Sequence, residues 1–176
     1  MPNIRNSDLI DGVLLIDLDV HPDDRGRLLE TFRQSWLVGR PSMVQGTRSD
    51  SKRGTVRALH FHRHQADYWY CPVGRLYVGL HDMRRSSPTR GATESFELTD
   101  DRAVYIPPGV AHGFQALTDA TLTYLVDRTY DPDVEHGVAW DDPDIGVPWP
   151  LKDALLSDRD RSNPRRRDIP EAELPD

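Results

Sequence analysis

The chain is written in short apolar runs that repeat every second residue and are broken at close intervals by glycine and proline, and this pattern leaves little room for anything but β-structure. Leu76, Val78 and Leu80 alternate with Tyr77, Gly79 and His81 directly after Gly74, the period of a half-buried strand. Residues 13–19 (VLLIDLD) read as a strand that enters a Pro-Asp-Asp-Arg-Gly turn at 22–26. Residues 54–61 (GTVRALHF) read as another, and 103–106 (AVYI) as a third, stopped by Pro107-Pro108-Gly109. Residues 113–118 and 120–127 suggest a hairpin around Asp119. Residues 28–36 suit a short helix or a strand equally, since Leu28, Leu29, Phe32 and Trp36 fit either period. With so little helical period elsewhere, the expectation is an all-β sandwich or barrel. The run at 13–19 is too apolar for a free sheet edge, which predicts that a second copy covers it.

A length of 176 residues fits one domain with short extensions. From about residue 141 the composition changes. Asp142-Pro143, Val147-Pro148 and Trp149-Pro150 interrupt regular structure, and 153–158 has room for one helical turn. We place the domain at 1–164 and read 165–176, charged and proline-containing, as a mobile tail. The excess of 29 acidic over 22 basic side chains gives a net charge of −7, which argues against non-specific nucleic-acid binding. Lys52 and Lys152 are the only lysines. Arginine is the better bidentate phosphate ligand, although a coding bias explains the imbalance equally well. The single cysteine, Cys71, allows no intramolecular disulfide and fits a reducing compartment. The Met1-Pro2-Asn3-Ile4-Arg5 start lacks a signal-like apolar stretch, and no run approaches the ~18–20 apolar residues of a membrane span. The expectation is a soluble cytoplasmic protein with no membrane partner.

The densest chemistry lies in His60-Phe61-His62, followed by His64, Asp67 and, far downstream, His112. On a strand, residues 60 and 62 share a face, so their imidazoles could move a proton or hold a metal; surface histidines in a loop are the plain alternative. Gly54 and Gly74 flank this segment, and Pro107-Pro108-Gly109-Val110-Ala111-His112 follows. Together these resemble the two-part cupin signature, G-x5-H-x-H-x4-E-x6-G and P-x-G-x2-H, with Asp67 in the glutamate position. That resemblance implies a cupin jelly roll, all-β with short helical segments.

A closer resemblance spans residues 12–164. Asp24-Arg25-Gly26 with Glu30, Val44-Gln45, and Gly54-Thr55-Val56-Arg57-Ala58-Leu59-His60-Phe61 stand in order. Arg84-Arg85-Ser86-Ser87-Pro88-Thr89 and Ile106-Pro107-Pro108-Gly109-Val110-Ala111-His112-Gly113-Phe114 follow. Then come Thr123-Tyr124-Leu125, Tyr130-Asp131-Pro132, Trp140-Asp141-Asp142-Pro143, Val147-Pro148-Trp149-Pro150 and Leu156-Ser157-Asp158-Arg159-Asp160. In order and spacing these resemble the dTDP-4-dehydrorhamnose 3,5-epimerases. The resemblance implies a cofactor-free jelly-roll homodimer that shifts protons at C3 and/or C5 of a dTDP-4-keto-6-deoxyhexose in deoxysugar biosynthesis. It implies His60 as base, Asp160 as the residue that orients it, and Tyr124 as the acid across the sugar. It puts Arg25, Glu30, Gln45, Arg57 and His112 at substrate contacts and Tyr130 where an aromatic ring stacks on thymine. Taken without the resemblance, Tyr124 and Tyr130 are packing residues, and Asp160 is solvated beside the tail.

The chain also departs from the family pattern. Asp67 stands where the family has lysine, His62 where it has glutamine, Thr47 where it has asparagine and Ala58 where it has glycine. His62 and Asp67 therefore join the catalytic set as the altered wall facing the enolate oxygen, with His62 as a donor to it and Asp67 protonated or paired with Arg57 or Arg63. Two other readings compete with an epimerase. One is a metal-dependent cupin that uses His60, His62, Asp67 and His112 as ligands. The other is a non-catalytic sugar-nucleotide binder.

Overall fold

The computed structural model describes residues 1–129 and 135–176. The chain forms β1 (Asn3–Asn6), β2 (Leu14–Asp17), β3 (Val20–Asp23), β4 (Gly26–Leu29), β5 (Gln45–Ser51), β6 (Val56–His62), β7 (Asp67–Val73), β8 (Leu76–Asp82), β9 (Thr93–Leu98), β10 (Arg102–Ile106), β11 (Val110–Ala116), β12 (Ala120–Val126) and β13 (Glu135–Gly137). A short helix, α1 (Asp158–Ser162), follows. Two antiparallel sheets face each other, one ordered β1-β2-β10-β7-β12-β5 and the other β13-β6-β11-β8-β9, while β3 and β4 form a separate hairpin. This is the expected all-β jelly roll. Among the described residues no helix is long and apolar enough to cross a membrane.

Apolar side chains pack in three layers, which follow from strand alternation. Between the sheets lie Val78, Leu80, Val104, Ile106, Phe114 and Leu122. On the back of the first sheet, the other parity of the same strands (Ile16, Tyr68, Ala103, Tyr105) packs under Leu37, with Phe32, Trp36 and Met43 beside it. On the back of the second sheet, Val56, Ala58, Leu59 and Phe61 are covered by Val138, Ile145, Ile169 and Leu174. Strands buried on both faces explain why VLLIDLD is nearly continuous in apolar character. Each fully buried large side chain contributes about 1.5–3 kcal/mol relative to exposure.

Four expectations need correction, and one left open, at 28–36, is resolved. The run at 13–19 is not an edge: β2 sits between β1 and β10, so its apolarity is satisfied within the chain. The segments flanking Asp119 are not a hairpin, because β11 pairs with β6 and β8 while β12 pairs with β5 and β7. The short link carries the chain from one sheet to the other. Residues 28–36 divide into the end of β4 and a 3-10 turn at Gln34–Trp36. The helical turn expected at 153–158 comes later, at Asp158–Ser162. Residues 165–176 are packed rather than mobile. Ile169 and Leu174 are buried, the backbone N–H of Arg166 donates to Asp142 at 2.6 Å, Arg63 donates to the Glu173 carbonyl at 2.5 Å, and the N–H of Arg85 donates to the Pro175 carbonyl.

The Arg84–Thr89 loop is a structural knot. The buried Asp82 carboxylate accepts from Arg84 Nε (2.9 Å), Ser87 Oγ (2.5 Å) and Thr89 Oγ1 (2.7 Å). Burial acts to raise its pKa, but these donors outweigh burial and hold it below the usual value.

Candidate active site

A cavity of about 310 Å³ opens between the two sheets, within the size range of small-molecule sites. Its walls are built by alternation. Gln45 and Ser49 come from β5, Leu122, Tyr124 and Val126 from β12, Asp67 and Trp69 from β7, His60 and His62 from β6, and His112 and Phe114 from β11. Arg57 breaks the parity, since it stands three residues before His60 yet lines the same cavity. The cause is a bulge. His112 pairs with His60 but Phe114 pairs with Arg57, so β6 spends one residue more than β11 over this stretch. Gly113 makes the bulge possible: a Cβ there would lie 2.2 Å from the Ala58 Cβ and 2.6 Å from its Cα.

His60 sits inside this cavity with its side chain 20% exposed, and Asp160 is almost fully buried behind it. Asp160 Oδ1 lies 2.7 Å from His60 Nε2. The second carboxylate oxygen accepts from Ser157 Oγ at 2.8 Å, and the backbone N–H of Asp160 donates back to Ser157 Oγ at 3.1 Å. Ser157 is the N-cap of α1, so helix capping and carboxylate positioning share one hydroxyl. Burial acts to raise the Asp160 pKa, but the hydrogen bond and charge of His60, with Ser157 and Arg159, prevail and keep it lowered. Asp160 is therefore not the solvated residue that its place near the tail suggested.

Asp67 and His112 are buried and line the cavity. The Asp67 carboxylate accepts from Gln65 Nε2 (3.0 Å) and Trp69 Nε1 (3.1 Å), and its Oδ2 lies 4.0 Å from His112 Nε2. Among the described residues no arginine pairs with Asp67, which corrects the expected partners. Arg57 donates to Ser51 Oγ, and Arg63 reaches Glu173. His112 Nδ1 meets the Val110 carbonyl at 2.9 Å. The rings of His62 and His112 lie 5.6 Å apart. His62, Asp67 and His112 have donor atoms within 4.8 Å of one another, and His60 is not one of that group. The four-residue ligand set expected from the cupin signature is thus reduced to three.

Of the expected substrate contacts, Gln45, Arg57 and His112 line the cavity. Arg25 and Glu30 do not. Arg25 stands in the β3–β4 turn paired with Asp23, and Glu30 pairs with Arg33, all at the surface. Tyr130 lies outside the described residues. The cavity also contains residues to which the sequence analysis gave no role, among them Ser49, Gln65, Trp69, Ser157 and Arg159. Ser157 carried a readable signal, the Ser-x-x-Asp spacing of a helix start. Gln65 and Trp69 carried none.

The family model described as dTDP-4-dehydrorhamnose 3,5-epimerase matches residues 8–168. A dTDP-4-dehydrorhamnose 3-epimerase of Streptomyces niveus is 41% identical over 162 residues, which span 86% of this chain and 78% of that protein. Among solved structures, NovW, a 4-keto-6-deoxy sugar epimerase from the novobiocin cluster of Streptomyces spheroides, superposes with a TM-score of 0.93 at 38% identity, covering 99% of this chain and 93% of that one. A dTDP-6-deoxy-D-glucose-3,5-epimerase of Legionella pneumophila, in complex with dTDP-4-keto-L-rhamnose, gives 0.92 at 30% identity, covering 99% and 98%. With a two-sheet barrel, a histidine–aspartate pair in its cavity and a family match over nearly its whole length, the chain belongs to the dTDP-4-dehydrorhamnose 3,5-epimerase family.

Proposed function

We propose that the protein epimerises C3, C5 or both of a dTDP-4-keto-6-deoxyhexose, with His60 as the base and Asp160 as its positioning partner. The observation that carries this is the 2.7 Å contact between His60 Nε2 and a buried carboxylate inside the cavity. With Nε2 engaged by Asp160, His60 takes the proton at Nδ1, and the carboxylate stabilises the imidazolium that forms. The C–H bond next to the C4 ketone breaks, its electron pair forms the enolate, and a proton returns to the same carbon from the other face. Tyr124, across the cavity on β12, delivers that proton. Negative charge then sits on the C4 oxygen and needs a donor or cation, which the corner made by His62, Asp67 and His112 has to supply.

Gln45 and Arg57 face the nucleotide portion, with Tyr130 as the thymine-stacking residue. Arg25 and Glu30 lie outside their own chain's cavity, so we assign them to the cavity of a second copy in a homodimer. Leu28, Val38 and Val44 are large apolar side chains left exposed in the same stretch, which supports an interface there. Light scattering should give twice the 20.1 kDa chain mass; the mass of one chain would overturn the dimer. We place the enzyme in the cytoplasm, in keeping with its single, buried cysteine.

The test is proton NMR of dTDP-4-keto-6-deoxyglucose incubated with the protein in D2O. Deuterium should enter at C3, C5 or both, and His60→Asn should abolish its entry while nucleotide binding persists. Binding without any exchange would overturn the epimerase reading.

A further inference from the structure

We infer that His62, Asp67 and His112 form a binding site for one first-row divalent cation, placed so that its charge opposes the enolate oxygen. This rests on the epimerase reading for its catalytic meaning, but not for its existence. The three donors converge from β6, β7 and β11, two strands of one sheet and one of the other, and all line the cavity that holds His60. Two imidazole nitrogens and one carboxylate oxygen suit zinc, iron(II), cobalt(II) or manganese(II).

Two of the donors are already oriented as ligands are. His112 Nδ1 meets the Val110 carbonyl. A ring nitrogen facing a carbonyl is the N–H, which puts the lone pair on Nε2, the nitrogen that faces Asp67. The Asp67 carboxylate is steadied by Gln65 and Trp69, as metal-bound carboxylates are by their outer partners. The Asp67–His112 separation of 4.0 Å closes to the ~3.0–3.4 Å expected between neighbouring ligands at ~2.1 Å bonds by small side-chain rotations.

Electrostatics also favours a cation here. A bare, buried carboxylate in the wall of a small cavity repels an enolate and raises the barrier to forming it. A divalent cation bound to that carboxylate reverses the sign and acts as a Lewis acid on the ketone oxygen. A metal bound by His60 would remove the base, but His60 is held separately by Asp160 and stays outside the cluster. Successive same-face residues on a strand are about 7 Å apart, so a sugar ring between His60 and His62 can meet the base on one side and the cation on the other.

The decisive experiment is calorimetric titration of untagged, chelator-treated protein with zinc, and separately with cobalt(II) followed by its visible absorption. One ion should bind per chain. Asp67→Asn and His62→Gln should each weaken binding by about 100-fold or more, with circular dichroism confirming the fold; if one variant is unfolded, the other decides. His60→Asn should bind the ion as the wild type does. No binding of either ion, binding indifferent to both ligand variants, or binding lost in His60→Asn would each overturn the site. No substrate enters this titration, so failure of the epimerase reading would register in the deuterium assay alone. Restoring zinc to chelated enzyme should raise the exchange rate, and unchanged exchange despite binding would overturn the cation's catalytic part.

Discussion

Replacing Asp160 by asparagine removes the charge and leaves one acceptor oxygen for His60, while the amide nitrogen takes the place of the oxygen that accepts from Ser157 Oγ. The amide has the shape of the carboxylate, and the α1 cap survives because Ser157 Oγ accepts from the backbone N–H of residue 160. What the proposed mechanism loses above all is the attraction between the carboxylate and the imidazolium that His60 would become on taking the substrate proton. With charge centres about 4 Å apart and an effective dielectric near 20, that attraction is about 4 kcal/mol. His60 is one-fifth exposed, so solvent screens part of it, and about 2–4 kcal/mol is the expected rise in barrier. This corresponds to roughly a 30- to 1000-fold slower exchange, less than the complete loss expected for His60→Asn. The assay is deuterium entry into dTDP-4-keto-6-deoxyglucose by NMR, with nucleotide affinity measured in parallel. A rate within about threefold of wild type, under 1 kcal/mol, would remove Asp160 from the mechanism. An affinity loss equal to the rate loss would mean that the site had collapsed, and the charge argument would fail with it.

Tyr124→Phe should separate proton removal from proton delivery: deuterium still enters slowly with the configuration retained, while epimer formation falls about 10²–10⁴-fold. Undiminished epimer would remove Tyr124 as the acid. Leu174→Ala should cost about 2–4 kcal/mol of unfolding free energy in a urea titration, because Leu174 is 2% exposed; a mobile tail would give no change. Stability should also fall in mild acid. Burial lowers the pKa of His81 from 6.5 to about 4, so the fold favours the neutral ring. That contribution is complete above pH 6.5, is lost as pH falls towards 4, and amounts to about 3 kcal/mol. His81→Gln should flatten the slope over that window, and an unaltered slope would assign it elsewhere.

The sequence carried the strands well, because alternation and Gly/Pro punctuation are local signals. It failed where the outcome depends on which sheet a strand joins. A short link at Asp119 looks the same whether it returns a strand beside its predecessor or carries it across the barrel. The apolar run at 13–19 suggested an edge that a second copy covers, because nothing local indicates that β1 of the same chain will cover it. His60, His62 and His112 were legible from spacing, and Asp160 only through the family resemblance, since its burial depends on contacts 100 residues away. The shared face of Arg57 and His60 was beyond strand arithmetic, because an odd spacing puts residues on opposite faces until a bulge shifts the phase. Arg25 and Glu30 matched motif positions, yet a motif does not say that its residues line the cavity of their own chain, and these two stand at the surface.

The hundred residues that separate His60 from Asp160 also set when the site can come into being during synthesis. The strands through β12 include both walls of the cavity and can pair as soon as they leave the ribosome, whereas Asp160 follows the end of β12 at Val126 by 34 residues. For that interval the nascent barrel presents an imidazole without its carboxylate, able to meet a nucleotide but poorly equipped to take a proton. Release of the segment after residue 138, which packs behind β6 and carries α1 back to His60, completes cavity and dyad together. On the proposed mechanism, catalysis is thereby reserved for chains in which residues 139–176 have been made and docked, and a stalled or clipped chain would compete for the nucleotide sugar without converting it.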